Sequence, residues 1–378
     1  MSLSEIDEVE VHSVGSPHLS LSRHSSDGNV SSSHSVFPAS TPTDEISHGD
    51  WRYIPVKEVM EKREVVTVDA QDRAEVAFNL LVSSNISSIP IYEDKTSNLV
   101  GILDYGDVLQ FMLSELEAVT KPEKNITVSE LLRRSRQSAA HLSLSPSSSS
   151  ISSADPRTSI VSVESLDQRR EKPLYTFSPD APLKDVLELF GRGVHRAVVQ
   201  GGDRVGIVSQ STVIRWIFSH SKFYPELTKL ITSTVKELGL GTQNVLTVGS
   251  EVPVIDALKM MVKLSVSSLG IVDKTGVLLS NLSLADVKWA IQSPSPQFLY
   301  DSVMHFRGQV DQQSGIQDGR DSAPVFDITE STTLGYAMSK VIATKTHRVW
   351  VTESHRPKTV ISLTDMIKLV ASLESATD

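Results

Sequence analysis

The stretch His195-Arg196-Ala197-Val198-Val199, then a polar turn over 200–203, then Arg204-Val205-Gly206-Ile207-Val208-Ser209-Gln210-Ser211, decides the fold. It reads as two short apolar strands joined by a turn, the second running into the polar start of a helix. Upstream, Leu183-Lys184-Asp185-Val186-Leu187-Glu188-Leu189-Phe190 carries a helical apolar stripe, and Leu174-Tyr175-Thr176-Phe177 reads as a leading strand. The same order recurs three times more. The first unit has a leading strand at 65–68, a helix at 74–81, strands at 88–92 and 99–103 and a helix over 105–116. The third repeats these pieces at 245–248, 254–264, 268–272, 277–282 and 284–291, and the fourth at 325–328, 334–343, 348–352, 358–361 and 363–373. Four copies of a β-α-β-β-α unit are expected, and since one copy cannot cover its own apolar helix face, the copies should pair face to face.

The remainder of the 378 residues reads differently. Residues 1–50 are rich in Ser, His, Asp and Gly without period, and 8 of the 11 residues from Ser143 to Ser153 are serine. Neither segment has enough apolar surface to repay ordering, so 1–50 is expected as a disordered Ser-rich tail and 121–172 as a Ser-rich linker. The folded units then fall at 51–120, 173–222, 223–293 and 294–378. With 36 Lys and Arg against 46 Asp and Glu, the net charge of −10 argues against a general binder of nucleic acid or of anionic membrane. The absence of cysteine excludes disulfide scaffolds, thiolate metal sites and cysteine nucleophiles, and points to an intracellular compartment, cytoplasmic or nuclear. No apolar run approaches a membrane span.

The four-unit pattern resembles the cystathionine β-synthase (CBS) motif. The resemblance implies an α/β fold of four β-α-β-β-α motifs paired into two Bateman modules, forming a pseudo-symmetric disc with nucleotides in the clefts between paired motifs. The strand-to-helix junctions read Gly101-Ile102-Leu103-Asp104-Tyr105-Gly106-Asp107, Gly206-Ile207-Val208-Ser209-Gln210-Ser211-Thr212, Ser280-Asn281-Leu282-Ser283-Leu284-Ala285-Asp286 and Thr359-Val360-Ile361-Ser362-Leu363-Thr364-Asp365. An acid three residues after Ser or Asp is a capping box. It can also present a carboxylate to a ribose diol while the helix start attracts phosphate. The resemblance carries the ribose role to Asp107, Asp286 and Asp365, whereas Thr212 leaves the second site expected empty.

The first hairpin strand of each unit starts Ser87-Ser88, His195-Arg196, Ser267-Ser268 and His347-Arg348. Arg offers a planar fork to phosphate oxygens and His a ring N–H, so two such pairs facing one axis would form a phosphate pocket, with Lys345 adding charge. Against a negative chain, this local basic cluster favours a small polyanion over a nucleic-acid backbone. The alternation of Ser with His-Arg, and of Asp, Thr, Asp, Asp, closely resembles the gamma subunits of AMP-activated (sucrose-non-fermenting type) protein kinases. That resemblance implies phosphate contacts at His195, Arg196, His347 and Arg348, hydroxyl contacts at Ser267, Ser362 and Thr364, and AMP, ADP or ATP as ligand in place of a cofactor. It further implies kinase catalytic and scaffold subunits as partners. Departures are Val252 for a familiar Thr, Ser87 for Arg and Gly270 for a strand Pro. The rival reading is an interaction scaffold similar to the fungal stress and cell-cycle CBS proteins that act on phosphatases, with nucleotide structural or absent. An enzyme is disfavoured, since no nucleophile, base or metal set can be named; His18, His24, His34 and His48 lack metal-site spacing.

Overall fold

The computed structural model describes residues 49–93, 98–117, 126–131, 133–134, 160–163, 174–201, 204–241, 245–292, 296–318 and 326–373. The expected tail and most of the expected linker lie outside these residues.

Each copy builds a sheet, three-stranded in copies one, three and four and four-stranded in copy two, in which the leading strand runs parallel to the first hairpin strand and the hairpin is antiparallel. A parallel pair requires a crossover, and in every copy that crossover is the amphipathic helix. In copy one the strands are Val68–Asp69, Ser88–Tyr92 and Leu99–Asp104, with helices Ala74–Ser83 and Tyr105–Glu117. Copy two has Leu174–Phe177, Arg196–Gly201 and Arg204–Ser209, with helices Leu183–Gly191 and Gln210–His220. Copy three has Thr247–Gly249, Ser268–Val272 and Leu278–Ser283, helix Val254–Lys263, and a single 3-10 turn, Leu284–Asp286, before helix Val287–Gln292. Copy four has Asp327–Ile328, Arg348–Glu353 and Arg356–Ser362, with helices Leu334–Thr344 and Leu363–Ala371. The leading strands of copies one, three and four start later than their apolar runs suggested, because only the residues facing the hairpin strand form ladder bonds.

Helix faces pair between copies that are not neighbours in sequence. Leu183, Val186, Leu187 and Phe190 of copy two share one buried core with Leu363, Met366, Ile367 and Val370 of copy four. Copies one and three share the second core, through Leu109 and Leu113 against Val254, Leu258 and Met261. Sheets pair the other way. Tyr92 and Leu99 of copy one meet Leu174 and Val198 of copy two. Trp350 of copy four lies over Gly270 of copy three, where a Cβ would sit 3.1 Å from the indole, and its Nε1 donates to Asn281 Oδ1 at 3.2 Å. The four copies therefore close a cycle of contacts: one with two, two with four, four with three, three with one.

A second recurrent element closes each copy. Ahead of each unit stands a short segment with a buried valine, namely Val56, Val128, Val235 and Val303. Each docks on its neighbour's first helix, not on the one that follows it. In copy two, Leu183 N–H donates to Ile54 O and Val56 N–H to Ala181 O; in copy one, Ala74 N–H to Ile126 O and Val128 N–H to Asp72 O. Copy three uses Val254 N–H to Asp301 O with Val303 N–H to Val252 O, and copy four Leu334 N–H to Ser233 O with Val235 N–H to Thr332 O. Each pair satisfies an orphan donor at a helix start. The expected linker 121–172 is thus corrected in two places. Val128 and Leu131 are buried in the core of copies one and three, and Ile160–Val163 pairs antiparallel with Leu174–Phe177 as a fourth strand of copy two.

Candidate functional site

The pleat and the hairpin register put the start of each first hairpin strand beside the junction of the same copy: Ser88 pairs with Asp104, Arg196 with Ser209, Ser268 with Ser283 and Arg348 with Ser362. The contact cycle then turns these starts toward one another. Arg196 Nη1 donates to Ser88 Oγ at 2.8 Å and Nη2 to Ser87 Oγ, while Arg348 Nη2 donates to Ser267 Oγ. Both His-Arg copies thereby reach into the Ser copy whose sheet they pair with.

The two pairs also meet each other. The His347 imidazole is pushed down to about 4, by burial first and then by Arg196, Arg348 and His195. A group on copy four therefore feels both cations and the second imidazole, although copies two and four are far apart in sequence. Burial lowers Arg196, opposed by Asp104 and Glu61, and pushes Arg348 down to about 10, opposed by Asp365. His195 and His347 are nevertheless solvent-accessible and Arg196 and Arg348 half-buried. Groups surrounded by protein yet open to solvent line a concave hollow. At neutral pH it holds two guanidinium charges and a neutral His347, an arrangement suited to phosphate oxygens.

The aspartates are less alike than their spacing. Asp107 is 2% exposed and accepts from Asp104 N–H at 3.0 Å, so it works as a buried cap. In copy two Thr212 completes the capping box with Ser209. Asp286 Oδ2 accepts from Ser283 N–H and Oγ at 2.7 and 2.9 Å, and its Oδ1 is held by Arg307 Nη1 at 2.8 Å. Both oxygens of Asp286, expected as a ribose contact, are thus engaged within the chain. Asp365 Oδ2 accepts from Ser362 N–H and Oγ at 2.8 and 2.7 Å. It is half-buried beside Arg348, and its Oδ1 accepts no hydrogen bond from the described residues. Ser362 thus orients Asp365. Thr364 Oγ1 accepts from Gln210 Nε2 at 2.9 Å, across the junction of copies two and four. Lys345 is the exposed left-handed C-cap of its helix, with φ 55°, and is absent from the groups acting on His347. Sequence reasoning missed Asp104, Gln210 and Arg307. The repeated valine segments, read as a fifth piece of each copy, would have exposed Arg307.

Among the described residues no cluster of three His, Asp or Glu could hold a metal ion, and no helix is long and apolar enough to cross a membrane. The model of the CBS domain family matches residues 56–114, 166–219 and 235–293, and the fold supplies a fourth copy after them. Three of the four copies thus match the CBS domain, and the fourth repeats their fold. Among its relatives is Protein SDS23 of Candida albicans, 31% identical over 361 residues, covering 91% of this chain and 56% of the relative. Protein SDS23 of Meyerozyma guilliermondii is 30% identical over 377 residues, covering 93% and 66%. The chain thus spans between about half and two thirds of the length of these relatives. In fold it is similar to a Methanocaldococcus jannaschii protein described as a candidate archaeal homologue of g-AMPK. That likeness has a TM-score of 0.57 and 14% identity, over 84% of this chain and all of that one.

Proposed function

We propose that this chain is a non-catalytic regulatory protein that binds an adenine nucleotide, AMP, ADP or ATP, and passes its occupancy to a protein partner. The observation that carries the reading is the convergence of His195, Arg196, His347 and Arg348 on one hollow beside the open oxygen of Asp365. Phosphates on the guanidinium groups and ribose on the carboxylate would use both. Ligand occupancy can shift a partner equilibrium only by its differential affinity for the two states. A kinase complex, with catalytic and scaffold subunits, is the partner that the gamma-like arrangement favours, in the cytoplasm or nucleus. Titration calorimetry with ATP, ADP, AMP and adenosine tests the reading: the phosphorylated ligands should bind and adenosine should bind much more weakly. Equal affinity for ATP and adenosine defeats it.

The second reading is an interaction scaffold acting on a phosphatase or another partner with nucleotide structural or absent, and similarity to the Candida albicans and Meyerozyma guilliermondii relatives over 91% and 93% of the chain fits it equally. A pull-down repeated with and without ATP separates the two. Partner capture that depends on nucleotide supports the sensor, and capture indifferent to it supports the scaffold.

A further inference from the structure

The valine segments share one spacing, and the residue four positions after the valine differs in a telling way. Val56, Val235 and Val303 are followed at that distance by Met60, Gly239 and Arg307. Met60 reaches the strand of copy two, its Sδ 2.7 Å from where a Cβ on Gly206 would stand. At Gly239, beside copy four, φ is 58° and nothing lies within 4 Å of a would-be Cβ. Arg307, on helix Val303–Asp318, reaches the copy-three junction, where Nη1 pairs with Asp286 Oδ1 at 2.8 Å and Nη2 pairs with Asp311. The guanidinium side chain is 16% exposed and that of Asp286 10%.

We infer that Arg307 is an internal occupant of the copy-three cleft, taking the carboxylate oxygen that a ribose cis-diol would bond, so that a nucleoside enters copy four at Asp365 and is kept out of copy three. The inference rests on the nucleotide reading above and adds which cleft is available. The chemistry favours the occupant over the ligand. A guanidinium adds a full positive charge to its hydrogen bond with the carboxylate, which a neutral hydroxyl does not, and being tethered it competes at high effective concentration. Displacing it would also strand a buried cation whose Nε already lacks a partner. In copy four, by contrast, no hydrogen bond from the described residues reaches Asp365 Oδ1, although the Arg348 guanidinium stands beside that carboxylate.

The test counts nucleotides bound by the full chain, using equilibrium dialysis with ATP and with AMP. Asp286→Asn should leave stoichiometry unchanged and Kd within about twofold of wild type, whereas Asp365→Asn should weaken binding at least about tenfold. Arg307→Ala should bind one nucleotide more than wild type, and the added site should vanish in the double variant with Asp286→Asn. Where Arg307→Ala melts below the assay temperature, Arg307→Gln, which keeps more of the packing, serves in its place. The inference is overturned if Asp286→Asn weakens binding as much as Asp365→Asn, or if removing Arg307 adds no nucleotide. A wild-type chain that binds none defeats the functional reading, and the Arg307 inference is then decided by whether Arg307→Ala binds one.

Discussion

Removing Arg196 and Arg348 singly and together tests whether the hollow acts as one phosphate site. Each guanidinium is hydrogen-bonded to serine hydroxyls, Ser87 and Ser88 for Arg196 and Ser267 for Arg348. Hydroxyls do not neutralise the charge, so it remains available to an anion, and truncation strands only small neutral hydroxyls, that of Ser88 being buried. Each Arg→Ala change then removes one or two charge-assisted hydrogen bonds to phosphate, worth about 1.5–3 kcal/mol, which is roughly 10- to 150-fold in Kd for ATP. Adenosine, lacking phosphate, should lose little. If both side chains grip the same phosphates, the double variant loses less than the sum, because the second change acts on a group already displaced. Coupled residues show interaction energies of about 0.5–3 kcal/mol, while independent sites add within about 0.5 kcal/mol. Calorimetric titration of the four proteins with ATP and adenosine measures all the terms. Strict additivity, or equal losses for both ligands, refutes a shared site and returns the two His-Arg pairs to separate edges.

Three further outcomes follow from the packing and the charges. His347 titrates at about 4, below its ordinary 6.5, so between those pH values the unfolded chain binds a proton that the native chain refuses, and stability should fall as pH drops through that window. Arg196→Ala removes one cause of the shift and should raise the His347 midpoint in an NMR titration; an unmoved midpoint would separate copies two and four at the axis. Leu131, fully buried in the core of copies one and three, should cost about 2–5 kcal/mol as Leu131→Ala in chemical denaturation, where a true linker residue would cost nothing. Gly335 stands where a Cβ would meet the Ile231 carbonyl oxygen at 2.9 Å, a backbone atom that cannot give way, so Gly335→Ala should destabilise by about 1–3 kcal/mol. Gly308, in a helix with nothing within 4 Å, provides the control: Gly308→Ala should be neutral or stabilising by up to about 1 kcal/mol.

The repeat itself was legible without coordinates, because strand and helix periods are written locally and four copies of the same order leave no other architecture. The recurrence of His195-Arg196 and His347-Arg348 at matching positions likewise marked the axis, since equivalent places in a repeat become equivalent places in space. Other features depended on which copy faces which. Nothing local in Val56, Val128, Val235 or Val303 says that each segment docks on its neighbour's helix, so residues around Val128 and Leu131 read as linker when they are core. Three aspartates with one spacing look alike in sequence, since a capping box and a ribose acceptor use the same residue at the same offset. The difference between Asp286 and Asp365 lies in what approaches the second carboxylate oxygen: Arg307 from another segment at Asp286, and no donor among the described residues at Asp365. Such an approach is a long-range contact fixed by helix packing, and local sequence determines the cap while tertiary packing decides whether the remaining oxygen is left for a ligand.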